Sequence, residues 1–528
     1  MPNGTLIHNA RIYTLSEDVV VDSLAMRHGC VQAIGHNLQH AGEFRSYRRW
    51  NLDGRTVVPG FVDAHTHFLF FAMSLGHVRL YGLSSPEACL KEIEKFSRRQ
   101  GRNEWIVGEG YEPHRFRRRV EPERFMLDRV TGGRPAFIFS KDGHSAWVNS
   151  RALQIAGISR KTRDPSGGEI IRDENGTPTG ILCEYAAYGQ IYNLIPLPPR
   201  RKIDRCYRQA LNLAYRKGVT GVHSFDGPNG FAYFSELAEK NRVGLRINYY
   251  APARLLPQLR RTDTRYGTGT DYFRIAGIKV FADGSLGSRT ALCFRRYLGS
   301  RNRCGIEVTS TDGIRRLSRS AARLGLPCAV HAIGDRAVAN VIDALEDCPP
   351  LPPGARHRIE HLQLVRRKDL PRLKRLNIIA SMQPSHCPTD IALVRRYWGV
   401  RGANAFIFRT LLDKGIDLAF GSDVPIEPLD PIGGIAAAVR RARPGSRDVF
   451  YPEQKISARE ALYNFTVGPA IAAGERNRRG CLQPGYPADL VVLSDDITRV
   501  PPRRIYDVQV LATVLNGRVK YADSSLRL

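Results

Sequence analysis

Long apolar runs are missing from this chain. None approaches the roughly 18 residues that a membrane-crossing helix needs. The start, Met1-Pro-Asn-Gly-Thr-Leu-Ile-His-Asn9, lacks the charged and apolar regions of a signal peptide. A cytoplasmic protein without a membrane partner is the expectation. Paired cysteine motifs are missing too. The ten cysteines scatter from Cys30 to Cys481 with no Cys-x-x-Cys and no repeated spacing, which argues against a disulfide framework or a zinc knuckle and for small buried hydrophobes. Lysine is scarce, with 13 Lys among 79 basic residues and Arg making up the other 66. The formal charge of +28, from 79 Lys and Arg against 51 Asp and Glu, invites a nucleic-acid reading. So strong a skew toward Arg looks more like coding bias, and no nucleic-acid partner is expected.

What is present suffices for a large core: 528 residues, 42% hydrophobic and 25% charged, a globular composition. Residues 1–55 read as short strands such as Thr5–Tyr13 and Ser23–Ile34. Residues 481–528 resume that theme in Gly485–Leu493 and Val508–Leu515 with the turn Asn516-Gly517. The two ends are expected to form one small β-sandwich, with residues 56–480 inserted between them. That middle alternates strand-like and helix-like segments, the pattern of βα units around a parallel sheet. Eight strands are expected, at Thr56–Val62, Val219–Phe225, Gly244–Tyr250, Arg274–Ala282, Pro327–Ile333, Arg356–Leu362, Ile378–Gln383 and Asp417–Ser422. Helical periodicity appears at Asp204–Lys217, Asp312–Leu324, Arg336–Glu346 and Ala403–Lys414. The fold class is therefore α/β, a (β/α)8 barrel of the TIM type. About 155 residues separate the first strand from the second, far more than a βα connection needs. Residues of about 78–200 are read as a domain-sized insertion, with strands at Trp105–Glu109 and Ala136–Ser140, roofing the face where barrel enzymes keep their chemistry.

The chemistry sits at the ends of these strands. His65 and His67 close the first strand, and residues two apart in a strand face one side, so both reach one metal ion. An isolated His-x-His is more often structural. Here, however, His331 closes the fifth strand, His361 the sixth and Asp423 the eighth, all at the C-terminal rim. Lys279 lies on the fourth strand. Its ammonium would repel metal ions unless its charge were reversed. Carboxylation by carbon dioxide would make it an anionic ligand bridging two ions, a part Arg could not play because it stays protonated; an ion pair with Asp283 is the alternative. Trp147 and Tyr111 are candidates for lining a pocket, though an aromatic in an insertion is more often core, Arg289 for receiving an anionic substrate group or pairing with Asp283, and His223 for touching substrate or filling the core. Glu360 should point away from His361 by strand alternation and be structural. The basic cluster Arg115–Arg119 reads as a solvated face.

The stretches at 59–67 (PGFVDAHTH), 142–150 (DGHSAWVNS), 279–291 (KVFADGSLGSRTA), 331–338 (HAIGDRAV), 358–361 (RIEH) and 421–425 (GSDVP) resemble the amidohydrolase superfamily. More narrowly, they are similar to the family 3 branch that includes N-substituted formamide deformylases, and the likeness runs nearly end to end. It implies a metal-dependent barrel hydrolysing amide-type C–N bonds, with His65, His67, Lys279, His331, His361 and Asp423 holding two divalent ions. Zinc is the default; manganese, iron or cobalt suit the same groups. In this reading Asp423 orients the water sharpened by the metals, takes its proton and returns it to the departing amine, with His144 helping to stabilise the oxyanion. The substrate-side segment matches at Asp142-Gly-His144, whereas the tryptophan-rich stretch expected near Tyr111–Arg115 is degenerate. The partners expected are a small-molecule amide and, for assembly, a second copy in a homodimer. A superfamily deaminase remains a rival, although it would carry Glu three residues after the fifth-strand His, where this chain has Gly334. A non-catalytic scaffold is a further rival, and would be expected to have lost ligands.

Overall fold

In the computed structural model, which describes residues 4–17, 19–101, 104–116 and 121–526, the middle of the chain builds one eight-stranded sheet, parallel throughout and in chain order. Its strands are Phe61–Thr66, Val219–Ser224, Arg246–Pro252, Phe273–Phe281, Cys328–Ala332, Arg358–His361, Ile379–Met382 and Leu418–Phe420. The first and eighth meet at their C-terminal ends. There the Asp423 N–H donates to the His65 carbonyl at 2.7 Å and the His67 N–H to the Val424 carbonyl at 3.0 Å. A (β/α)8 barrel results, and helices cover its outside. The helix Thr311–Ala322 shows why these segments fold as they do. Ser310 caps it, accepting the Gly313 N–H at 3.2 Å, an interaction worth about 1 kcal/mol. Ile314, Ser318 and Ala321 recur at helical spacing on its buried face.

The expected first strand, Thr56–Val62, is two strands. Thr56–Pro59 pairs antiparallel with Leu490–Leu493, in a six-stranded sheet built from both ends of the chain. The barrel strand starts only at Phe61. Gly60 is the joint: its N–H donates to the Asp489 carbonyl at 2.9 Å, while the Phe61 N–H reaches the Gly218 carbonyl at 3.1 Å. A Cβ on Gly60 would lie 2.3 Å from Thr220 Oγ1, so a side chain there would force the two sheets apart. The expected helix Ala403–Lys414 also shortens, to Phe408–Asp413. Gly399–Asn404 is a 3-10 turn, and Phe406 takes φ +53°, which no helix tolerates.

The six-stranded terminal sheet faces a four-stranded one made of Thr5–His8, Ser23–Arg27, Cys30–Gly35 and Arg48–Asn51. Ile7, Leu24 and Trp50 from one sheet share a buried cluster with Ile12, Val57 and Val492 from the other. The long first connection carries its own six-stranded sheet, from Val78–Arg79 to Pro178–Cys183, with buried clusters on its two faces. Within it the strands Ile106–Tyr111 and Ala136–Ser140 lie where expected. Of the basic cluster, Arg117, Arg118 and Arg119 lie outside the described residues; Arg115 sits 3.9 Å from Glu112. No helix among the described residues is long and apolar enough to cross a membrane.

Candidate metal centre and active site

Strand alternation sends His65 and His67 to the same side of the first barrel strand. His65 is buried, whereas the His67 side chain is 27% exposed. Asp423 follows the eighth strand in a left-handed turn, at φ +62°. Asp63 pins the turn, accepting the Ser422 N–H at 2.9 Å and the His65 N–H at 3.1 Å. As a result Asp423 Oδ1 lies 3.5 Å from both His65 Nε2 and His67 Nε2. His361 enters from the sixth strand, and the donor atoms of His65, His361 and Asp423 all lie within 4.8 Å of one another. The His331 ring stacks edge-on 4.5 Å from that of His361, with its Nε2 3.1 Å from the Gly284 carbonyl.

Lys279 completes the ring. It is 3% exposed, its Nζ has no hydrogen-bond partner, and it lies 4.5 and 4.8 Å from the ring centres of Phe225 and Phe281. It is not paired with Asp283, whose carboxylate is taken up by the N–H groups of Leu292, Ile333 and Gly334. Burial pushes the Lys279 amine down to about 8. Burial likewise drives the imidazoles of His331 and His361 well below their ordinary range and His65 to about 4, leaving neutral rings with lone pairs to give. Burial alone would raise Asp423, but the facing imidazoles, His65 first and then His67, hold the carboxylate well below its usual range when they carry a proton. Neutral imidazoles, one carboxylate and an orphaned buried amine make a donor set that fits a divalent metal.

The metal side opens into a cavity of about 280 Å³, walled by the insertion through Phe139, Asp142, His144 and Tyr188. Asp142 fastens that wall to the barrel. It accepts from Ser140 Oγ at 2.5 Å, Ser285 Oγ at 2.6 Å and Ser288 Oγ at 2.8 Å. His144 Nδ1 lies 2.9 Å from Glu184 Oε2, and its ring is 5.0 Å from His331. Burial opposes protonation of His144, but Glu184 outweighs it and lifts the imidazole to about 9.

Other sequence candidates sit elsewhere. His223 is not at this cavity: its Nδ1 is 2.7 Å from an Arg358 Nη1, and it lines a small cavity at the opposite end of the barrel. Strand alternation there turns it toward the barrel axis below the metal side. Trp147 is fully buried in the insertion's core, with its indole N–H donating to the Glu123 carbonyl at 3.0 Å and its ring against Tyr111. Arg289, at φ +59°, stacks over Tyr397 and neither lines the cavity nor meets Asp283. Glu360 does not point away. His361 and Leu362 take φ +71° and +43°, breaking the alternation, so Glu360 and His361 both face inward, and Glu360 Oε2 lies 2.5 Å from His65 Nδ1. His386 escaped the sequence reading: its Nε2 has no hydrogen-bond partner and lies 3.8 Å from Asp423 Oδ2. Its signal is its place, four residues beyond the seventh strand's last residue, Met382, on the rim between the strand ends that carry His361 and Asp423.

The profile of the amidohydrolase family matches residues 50–521. Protein YtcJ of Bacillus subtilis is 32% identical over 98% of this chain and 99% of its own length. The N-substituted formamide deformylase of Arthrobacter pascens is 28% identical, covering 89% of each chain. A solved structure of an uncharacterized metal-dependent hydrolase from Pyrococcus horikoshii superposes with a TM-score of 0.76 at 28% identity, covering 94% of this chain and 99% of that one. The family match over most of the chain, with relatives aligned almost end to end, makes this protein a member of the amidohydrolase family.

Proposed function

We propose that the protein hydrolyses a carbon–nitrogen bond of the amide or N-substituted formamide type, using water and a pair of divalent ions, zinc by default. The observation that carries this reading is the convergence of His65, His361 and Asp423 on one point, with Lys279 Nζ buried and unpartnered beside them. His65, His67, His331, His361 and Asp423 would hold the ions. Lys279 would join these ligands once its amine has attacked carbon dioxide and shed a proton to become a carbamate anion. Bound there, the ions would lower the pKa of water toward neutrality and polarise the substrate carbonyl.

The chain's own groups do the rest. Asp423, an ionised carboxylate with Oδ1 turned to the histidines, accepts the attacking water's proton and delivers it to the departing amine nitrogen. His144, held by Glu184, offers an N–H to the carbonyl oxygen as negative charge develops there. The insertion and its tyrosines wall one side of the cavity. The deaminase rival is weakened by more than a missing side chain. A Cβ at Gly334 would lie 2.1 Å from the Leu292 carbonyl, so the position where a Glu would act has no room for one. The name of the formamide deformylase relative supports the bond type.

The test is hydrolysis of a panel of N-formyl and N-acyl amines by zinc-loaded and metal-stripped protein. Release of amine by the loaded protein alone is expected. Turnover confined to cyclic or amidine-like substrates bearing an amino group, with ammonia released, would replace this reading by the deaminase.

A further inference from the structure

The interior of a closed barrel is ordinarily filled by layers of branched apolar side chains. Here the layer beneath the metal side holds Arg358 and Glu360, both 0% exposed. A buried ion pair is weak evidence for stability, since apolar residues of similar volume commonly do as well or better. Its geometry gives it another use. Glu360 Oε2 lies 2.5 Å from His65 Nδ1 and accepts Ser381 Oγ–H at 2.6 Å, and Glu360 Oε1 accepts Arg358 Nε–H at 2.5 Å. Arg358 spends its other donors around the same point: on the Ala64 carbonyl at 2.7 Å, Ser381 Oγ at 2.5 Å, Tyr250 Oη at 3.2 Å and His223 Nδ1 at 2.7 Å. The network thus grips the ring of His65 through Glu360 and the backbone just before it through Ala64.

We infer that Arg358 and Glu360 are positioning residues for His65. Glu360 accepts the Nδ1–H, which fixes the tautomer so that the Nε2 lone pair faces the ligand cluster, and Arg358 fixes Glu360 and the strand carrying His65. This rests on the reading of His65 as a metal ligand. A carboxylate bonded to the far nitrogen of a ligating imidazole orients the ring and raises its basicity, and its loss weakens metal binding by roughly 10–100-fold. His223 belongs to this network rather than to the substrate: it accepts from Arg358 at Nδ1, which leaves Nε2 as its protonated nitrogen.

The test measures zinc affinity of the full-length protein by competition with a chromophoric chelator, together with the visible spectrum of the cobalt-loaded protein. Removing one charge alone strands the other, so the decisive variant replaces both, as R358M/E360L. It is expected to fold, to bind zinc roughly 10–100-fold more weakly and to show an altered cobalt spectrum. H65A should lose the same zinc. Wild-type zinc affinity and spectrum in R358M/E360L, alongside loss in H65A, would overturn the inference while leaving the ligand reading intact. Unchanged binding in H65A would overturn both. If the double variant does not fold, E360D, which keeps both charges but draws the carboxylate back from His65 Nδ1, decides: weaker zinc binding supports the inference and equal binding overturns it.

Discussion

Asp423 divides its two oxygens between two sets of imidazoles, Oδ1 toward His65 and His67 and Oδ2 toward His386. Asp423→Asn keeps the shape and one oxygen donor but cannot take a proton from water. It should retain bound zinc while turnover falls by roughly 10²–10⁴-fold, the usual worth of general acid–base catalysis; metal analysis and steady-state kinetics on one preparation check this. Turnover within a few-fold of wild type would remove the proton-transfer role. The candidate ligand residues are legible because they lie at or near the C-terminal ends of barrel strands, and those ends share one rim. Glu360 was not, because its reading assumed an alternation that the positive φ of His361 and Leu362 breaks. Trp147 looked like a pocket residue from its motif, yet its indole N–H finds a carbonyl inside the insertion. Nothing in a linear pattern distinguishes those two fates.

Among the elements, the joint at Gly60 is where sequence and structure parted. Thr56-Val-Val-Pro-Gly-Phe-Val62 reads as one apolar strand because both halves are buried, but they belong to different sheets. Gly60→Ala would place a Cβ 2.3 Å from Thr220 Oγ1 and 2.5 Å from its Cγ2. A destabilisation of about 1–3 kcal/mol is expected from such overpacking, read as a lower urea midpoint, with partial recovery in G60A/T220A. No loss in G60A would mean the joint has slack. The wall of the cavity gives a second expectation. Asp142→Ala removes the acceptor shared by Ser140, Ser285 and Ser288, so amide hydrogen exchange should quicken across residues 284–290 while the barrel strands stay protected. The insertion itself was visible as surplus length. That it forms one sheet in the order seen was not, because its pairings join segments far apart in sequence.

Across the whole molecule, the charge of +28 is the excess of basic groups left after every carboxylate is counted, so surface pairs such as Arg395–Asp448 and Arg372–Glu346, each worth little individually, leave it in place. Acid sensitivity comes from the interior. His77 and His357, away from the metal side, are pushed from 6.5 to about 4 by burial. Between those values the unfolded chain binds protons that the native state refuses, so the stability these groups confer is present above pH 6.5 and lost as pH falls toward 4. His357 Nδ1 accepts the Cys328 N–H at 3.0 Å, and an Asn oxygen can replace that acceptor without titrating. His357→Asn should therefore lose less of its unfolding midpoint than wild type between pH 6.5 and 4; parallel losses would contradict the assignment.

Side chains from separate strands meet at one mouth of the barrel, and the proposed hydrolysis stands or falls with the metal they would hold. The most direct measurement is zinc content of the full-length protein after reconstitution with zinc and bicarbonate and removal of unbound metal, followed by amine release before and after chelation. Two equivalents of zinc retained per chain, with hydrolysis lost on chelation and regained on adding zinc back, is the result expected. A chain that retains no zinc, or hydrolysis that persists undiminished in chelator, would contradict it.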